Sequence, residues 1–279
     1  MSANASTNGS IPLLKRLSLD VFRAYRRTQA RLHDLTYLFW ECTLRCNLSC
    51  LHCGSDCREQ ARIPDMPLAD FLRVLDQVKT QYNPNKVMLA LTGGEPLLRR
   101  DLEEAGKEFY RRGFPWGIVT NGFALTEQRM NRLLGAGLRS ITISVDGLRD
   151  SHNWLRGNPE SFDRAVEAVG YVARARGIVS DVVTCVNQRN IGELEKVRDL
   201  LIDKGVKKWR LFAIFPKGRA KNDCLLDIGD RQFKDLMEFI KHTRAGGRIG
   251  ASFSCEGFLG PYEGQVRDGF FFCRAGINV

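Results

Sequence analysis

Long apolar runs are missing from this 279-residue chain: none approaches the ~18 residues that a membrane-spanning helix needs, so the sequence offers no membrane span. Its first ten residues are small and polar, without the apolar centre of a secretory signal, and are expected to be a disordered lead-in. Despite a net charge of +10, no helix-turn-helix or RNA-recognition signature is present, and no nucleic-acid partner is expected. Histidine is scarce, at four; His33, His152 and His242 lack nameable partners, and surface or packing roles are expected of them. No short repeat is visible beyond the alternation of strands and helices. Nine cysteines, an odd count in a chain of domain size, argue against a disulfide framework and for a reducing, cytoplasmic setting. The apolar share of 43% is ordinary for a globular protein, and the length allows one large core, or one core plus an appendage.

What is there centres on Cys46-Asn47-Leu48-Ser49-Cys50-Leu51-His52-Cys53. The stretch follows an apolar run at 35–40 that reads as a buried strand, so the thiols sit on a loop at a strand's C-terminal end, where α/β folds place their chemistry. Thiolates are soft ligands that select iron–sulfur clusters, zinc or copper. Three thiolates on a four-iron four-sulfur cluster leave one iron open, and an open position distinguishes a catalytic site from a closed structural one. Two readings remain beside this one: a zinc site completed by Cys42, His52 or Cys57, and a reactive disulfide loop.

Downstream, Thr92-Gly93-Gly94-Glu95-Pro96 follows the apolar residues 87–91, and Ser144-Val145-Asp146-Gly147 follows the apolar residues 141–143. In this order the three motifs resemble the radical S-adenosylmethionine (radical SAM) superfamily, whose signature is Cys-x-x-x-Cys-x-aromatic-Cys; His52 stands in the aromatic slot. The resemblance covers roughly residues 35–219. It implies that Cys46, Cys50 and Cys53 hold a 4Fe-4S cluster and that S-adenosylmethionine (SAM) chelates its open iron. It implies an enzyme that cleaves SAM reductively to a 5′-deoxyadenosyl radical, which abstracts hydrogen from a substrate, with a one-electron donor such as flavodoxin or ferredoxin. SAM-contact candidates are His52, Thr92, Gly93, Gly94, Glu95, Ser144, Asp146, Arg156 and Asn187. Glu95 suits the amino group, Ser144 and Asp146 the ribose hydroxyls, and Arg156, expected in the loop after the fourth strand, the SAM carboxylate.

Periodicity places strands at 86–91, 116–120, 140–145, 179–186 and 208–214 after the first, with helices near 67–78, 101–112, 126–135, 161–169, 191–201 and 230–243. Six strands alternating with helices argue for right-handed parallel βα units. The resemblance implies an α/β fold, a partial (β/α)6 TIM-like barrel open on one side. Residues 11–33 are expected to be a basic amphipathic helix that packs Ile11, Leu13, Leu14, Leu17, Val21 and Phe22 on the main domain; an acidic partner is the second reading. Residues 34–245 are expected to be the core domain.

The tail, 246–279, breaks the rhythm. Cys255 and the run from Gly269 to Gly276 around Cys273 resemble the opening of the SPASM or twitch extension, which binds auxiliary iron–sulfur clusters in peptide-modifying members. The chain ends six residues after Cys273, so the extension is expected to be cut short or degenerate. The tail points to a peptide or protein substrate; a small cofactor or haem precursor is the alternative. Cys42, Cys57, Cys185 and Cys224 match no signature position, although Cys185, ending the fifth strand, is placed to face the barrel. The rivals from other classes are a non-catalytic zinc or iron–sulfur binding module and an electron-transfer protein.

Overall fold

The computed structural model describes residues 13–32, 34–255 and 257–268. One sheet organises it: β1 (Tyr37–Thr43), β2 (Met88–Gly93), β3 (Trp116–Thr120), β4 (Leu138–Ser144), β5 (Val179–Val186), β6 (Lys208–Ala213) and β7 (Gly250–Phe253). All neighbours pair in parallel and in sequence order, and β1 and β7 do not pair with each other. The result is a partial barrel, open on one side. A seventh strand extends the expected six. It lies in the 246–279 segment, and its four residues are too few, with Gly250 among them, to show a period of two.

Helices cross between the strands: α1 (Leu13–Leu32), α2 (Leu68–Val78), α3 (Leu102–Arg111), α4 (Glu127–Gly135), α5 (Arg149–Arg156), α6 (Ser161–Arg174), α7 (Leu194–Asp203) and α8 (Asp230–Ala245). Thr126 caps α4: its Oγ1 accepts from the Arg129 amide at 3.1 Å, satisfying one orphan donor. Helix α5 was not foreseen, so Arg156 stands at the end of a helix and not in a loop. Polar residues dominate Arg149-Asp150-Ser151-His152-Asn153-Trp154-Leu155-Arg156, and of its buried residues only Leu155 is apolar.

Alternation along the strands separates two surfaces. Leu38, Trp40, Leu89, Leu91, Trp116, Ile118, Ile141, Ile143, Trp209 and Leu211 point outward into the core beneath the helices. Around Trp40 the aromatics interlock, with Phe71 stacked 3.9 Å from its ring and the Arg99 guanidinium 4.6 Å over it. The inward positions are mixed, with Ala90, Gly117 and Ser140 among larger residues such as Tyr37, Phe39 and Arg210, and they leave the lumen partly hollow.

The helix at the start corrects an expectation. Leu13, Leu14, Leu17 and Val21 of α1 are exposed; of the expected stripe Phe22 gains partial cover, and Leu19, outside that stripe, gains it too. Ile11 and His33 lie outside the described residues. None of the described helices is long and apolar enough to cross a membrane.

Candidate cofactor site

The cysteine loop leaves β1 through a stem clamped by the glycine turn after β2. The Gly94 amide donates to Thr43 O at 2.7 Å, and the Glu95 amide donates to Arg45 O at 2.8 Å. A Cβ on Gly93 would meet Thr43 O at 2.1 Å, and one on Gly94 would meet Arg45 O at 2.1 Å. Gly93 also sits at φ +122°, open only to glycine at low cost. The glycines were expected to admit a ligand; they first admit the backbone that carries Cys46.

Glu95 was expected to offer its carboxylate to an amino group. It is instead fully buried, and its oxygens are engaged by protein: Oε1 accepts from Thr120 Oγ1 at 2.7 Å and the Leu97 amide at 3.0 Å, and Oε2 accepts from the Asn121 amide at 2.8 Å. Burial pushes its pKa above the usual carboxylate value, and these three donors partly offset that. Glu95 therefore joins the ends of β2 and β3. Thr92, Gly93 and Gly94 remain half-buried, with backbone toward the rim.

Asn121, just past the end of β3, reaches the loop. Its Nδ2 donates to Asn47 Oδ1 at 2.9 Å and lies 3.9 Å from Cys46 Sγ. From the other side, Arg156 Nη1 lies 3.7 Å from Cys50 Sγ. The Cys57 amide donates to Cys53 Sγ at 3.4 Å. Each loop sulfur thus faces an N–H donor, the kind of contact that stabilises negative charge on thiolates and cluster sulfurs. Burial pushes the Cys46 thiol up to about 11 in the absence of metal. Arg219, for which the sequence had no signal, pins the loop: Nε donates to Cys50 O at 2.7 Å, and Nη1 to Cys57 O at 3.0 Å and Asp56 Oδ1 at 2.9 Å. Gly218 lets this segment close in, since a Cβ there would meet Cys53 O at 2.2 Å.

Asp146 was expected at the ribose. It is fully buried; Oδ2 accepts from Arg156 Nε at 2.6 Å, and Oδ1 accepts from the Cys185 amide at 2.7 Å. Burial alone would raise this carboxyl, but the Arg156 charge and further nearby donors hold it below the usual range. His152, expected to lack partners, is also fully buried: Nδ1 accepts from the Asp146 amide at 2.9 Å, and Nε2 is 3.0 Å from Ser161 Oγ. Burial lowers it to about 4. Asn187 closes a turn, with Oδ1 accepting from the Arg189 amide at 2.9 Å and the Asn190 amide at 3.2 Å. Ser144 ends β4, buried and on the lumen side by alternation.

Beside the loop opens a largely apolar cavity of about 740 Å³, lined by His52, Cys185, Phe212, Ile214, Phe215 and Lys217 among others. Cys185 does face the barrel. His52 is half-buried, and its Nδ1 is closed to solvent with no partner. An orphan ring nitrogen in a cavity is a polar handle for a ligand. Cys42 Sγ donates to Thr92 O at 3.4 Å and is turned away from the loop thiols. Among the described residues, no three His, Cys, Asp or Glu side chains gather around an ion-sized point. Cys255 is buried, its Sγ accepting from the Ala213 amide at 3.2 Å; Cys273 lies outside the described residues. The donor set fits the group that the motifs imply: three soft ligands on one loop, N–H donors facing them, and an adjoining cavity with an unsatisfied nitrogen.

The model of the radical SAM superfamily matches residues 40–201. The chain belongs to that superfamily. It is 30% identical over 217 residues to the AdoMet-dependent heme synthase of Methanosarcina barkeri, covering 77% of this chain and 60% of that protein. It is 23% identical over 201 residues to the Fe-coproporphyrin III synthase of the same organism, covering 72% of this chain and 49% of the relative. The chain thus spans about half to three-fifths of the length of these relatives. Among solved structures, Streptococcus suis SuiB bound to S-adenosylmethionine superposes with a TM-score of 0.65 at 15% identity, over 90% of this chain and 58% of SuiB. That likeness concerns the fold.

Proposed function

We propose that this chain is the core of a radical SAM enzyme acting on a small cofactor of the haem-precursor kind. The observation that carries the chemistry is the loop of Cys46, Cys50 and Cys53 at the barrel's C-terminal rim, with Asn121 and Arg156 aimed at two of its sulfurs. The names of the relatives, a heme synthase and a Fe-coproporphyrin III synthase, favour a small cofactor over the peptide that the tail suggested.

A bound four-iron cluster with SAM supplies, on reduction, a carbon radical able to take hydrogen from an unactivated C–H bond. The chain's residues hold and shield that chemistry. The three cysteines bind the cluster; the backbone of Thr92, Gly93 and Gly94 meets the ammonium end of SAM; and Arg156 meets its carboxylate while Asp146 holds the guanidinium in place. Ser144 faces the ribose, and the His52–Cys185–Phe212 cavity takes the adenine, with His52 Nδ1 as its polar contact. Glu95, His152 and Asn187 act behind this layer by fixing the turns that present it.

Anaerobic reconstitution tests the reading. About four irons per monomer, release of 5′-deoxyadenosine with dithionite, and consumption of added Fe-coproporphyrin III are expected. Cys50→Ala should lose the iron and the cleavage together, while Cys224→Ala, an exposed thiol, should keep both. Undiminished cleavage in Cys50→Ala would remove the cluster assignment, and turnover of a peptide with none of the porphyrin would return the substrate to the peptide class.

A further inference from the structure

The lumen holds a second chamber, at the end of the barrel away from the cysteine loop. It has a volume of about 660 Å³ and reaches from edge strand β1 to edge strand β7. Closed barrels of this kind fill their interior with branched apolar side chains. Here the inward positions include Ala90, Gly117, Ser140 and Gly250, and the space stays open. Gly117 can be nothing larger without movement, because a Cβ would meet Ser140 O at 2.6 Å.

The walls differ in chemistry. On the β1 to β5 side, Tyr37, Phe39, Val119 and Val179 line the chamber, and all four are exposed apolar side chains. Tyr37 and Phe39 stack with ring centroids 6.1 Å apart and are 41% and 49% exposed. On the β6 and α8 side stand four cations. Two are committed: Arg210 to Asp181 and Thr142 Oγ1, and Arg244 to Asp268 and Ala251 O. Lys207 and Lys208 line the same wall, and neither has an acidic partner among the described residues.

We propose that this basal chamber binds an amphipathic carboxylic acid, its apolar body on Tyr37 and Phe39 and its carboxylates on Lys207 and Lys208. An apolar face with a few convergent charged groups is the usual composition of a ligand site, and two ammonium groups with no acidic partner among the described residues select an anion over a neutral or cationic molecule. The inference rests on the small-cofactor reading for its choice of ligand: a porphyrin with propionate side chains is flat, apolar and edged with carboxylates.

The test is binding to cluster-loaded protein, without reductant or SAM, followed by the visible absorbance of Fe-coproporphyrin III. Lys207→Glu/Lys208→Glu should weaken binding by about tenfold to a hundredfold, as expected for two lost charge-assisted contacts. Lys196→Glu/Lys234→Glu, the same charge change on exposed helix positions outside the chamber, should leave it within about twofold. Phe39→Ala should also weaken it, and iron octaethylporphyrin, which has no carboxylate, should bind far less. Iron content and circular dichroism report folding in each variant. Equal losses in the two double variants, or no loss in the first, overturn the proposal. Turnover plays no part in this measurement, so the two readings fail separately. Porphyrin that binds through Lys207 and Lys208 yet is never altered with SAM and reductant sinks the substrate reading alone; porphyrin that is altered while Lys207→Glu/Lys208→Glu binds it normally sinks the chamber alone.

Discussion

Arg156 and Asp146 form an ion pair that is almost wholly enclosed, with Arg156 Nε donating to Asp146 Oδ2 at 2.6 Å and Nη2 lying 2.5 Å from the same oxygen. Its partners come from two neighbouring elements: the aspartate ends the β4 motif, and the arginine ends α5 ten residues later. The pair brings a fixed positive charge beside Cys50, where a thiolate-bound cluster and an anionic ligand would need it. Breaking a buried pair from one side strands the other charge, at a cost of about 3–5 kcal/mol. Asp146→Ala should therefore lower the melting temperature by roughly 10 °C, and Asp146→Ala/Arg156→Met should recover part of that loss. Thermal unfolding of the single and double variants decides it; additive losses would mean that the two residues do not act as a pair.

Glu95→Gln separates a positioning role from a ligand role. The amide can replace only one acceptor oxygen, and its NH2 group would face the Thr120 hydroxyl and Leu97 amide, or the Asn121 amide. A buried mismatch of this kind costs about 1–3 kcal/mol. The variant should unfold at lower denaturant concentration even with no SAM present. Wild-type stability combined with weakened SAM binding would instead return the carboxylate to the ligand.

Gly94→Ala tests the clamp on the loop stem. Its Cβ would lie 2.1 Å from Arg45 O, so one of the two chains must move and Cys46 must move with it. Iron per monomer after reconstitution should fall well below wild type. Gly54→Ala, where a Cβ would meet nothing within 4 Å, should load normally. Equal loading of the two variants would show that the stem is not what positions the thiols.

His152 makes stability depend on pH. Its ring is neutral in the fold, lowered from 6.5 to about 4 by burial, while the unfolded chain protonates it near its ordinary value. Between those values the unfolded state binds more protons, so stability is complete above about pH 6.5 and is lost as pH falls toward 4, by roughly 3 kcal/mol in all. His52 is lowered in the same direction, so the comparison must be a difference curve. His152→Asn should be less stable at pH 7 and should show a shallower decline from pH 6.5 to 4. Parallel curves for the two proteins would assign the acid sensitivity elsewhere.

The motifs legible in the chain are those whose residue type alone dictates use. Three thiols at close spacing can do little but bind metal or pair, and apolar runs of five to eight residues between turn signals mark parallel strands wherever both faces are covered. The strands at 116–120 and 179–186 fall where they were expected. Helix α5 and strand β7 escaped because one is mostly polar and the other has four residues.

What the sequence by itself determined is the inventory: a cysteine loop after the first strand, a Gly-Gly-Glu turn after the second, an Asp-Gly turn after the fourth, and the alternation that makes a parallel barrel. Only the tertiary structure decided which protein groups these side chains meet. Glu95 and Asp146 read as ligand contacts because their motifs resemble the family's and a carboxylate accepts hydrogen bonds. In the folded chain Thr120, Asn121, Arg156 and Cys185 reach them first. Those contacts span 10 to 39 residues of sequence, and no local pattern encodes them, since a hydrogen bond depends on where two chain segments meet and not on what either segment contains. The hollow at the base of the barrel was equally hidden, because each small inward residue is unremarked alone and only the closing sheet sets Ala90, Gly117, Ser140 and Gly250 around one space.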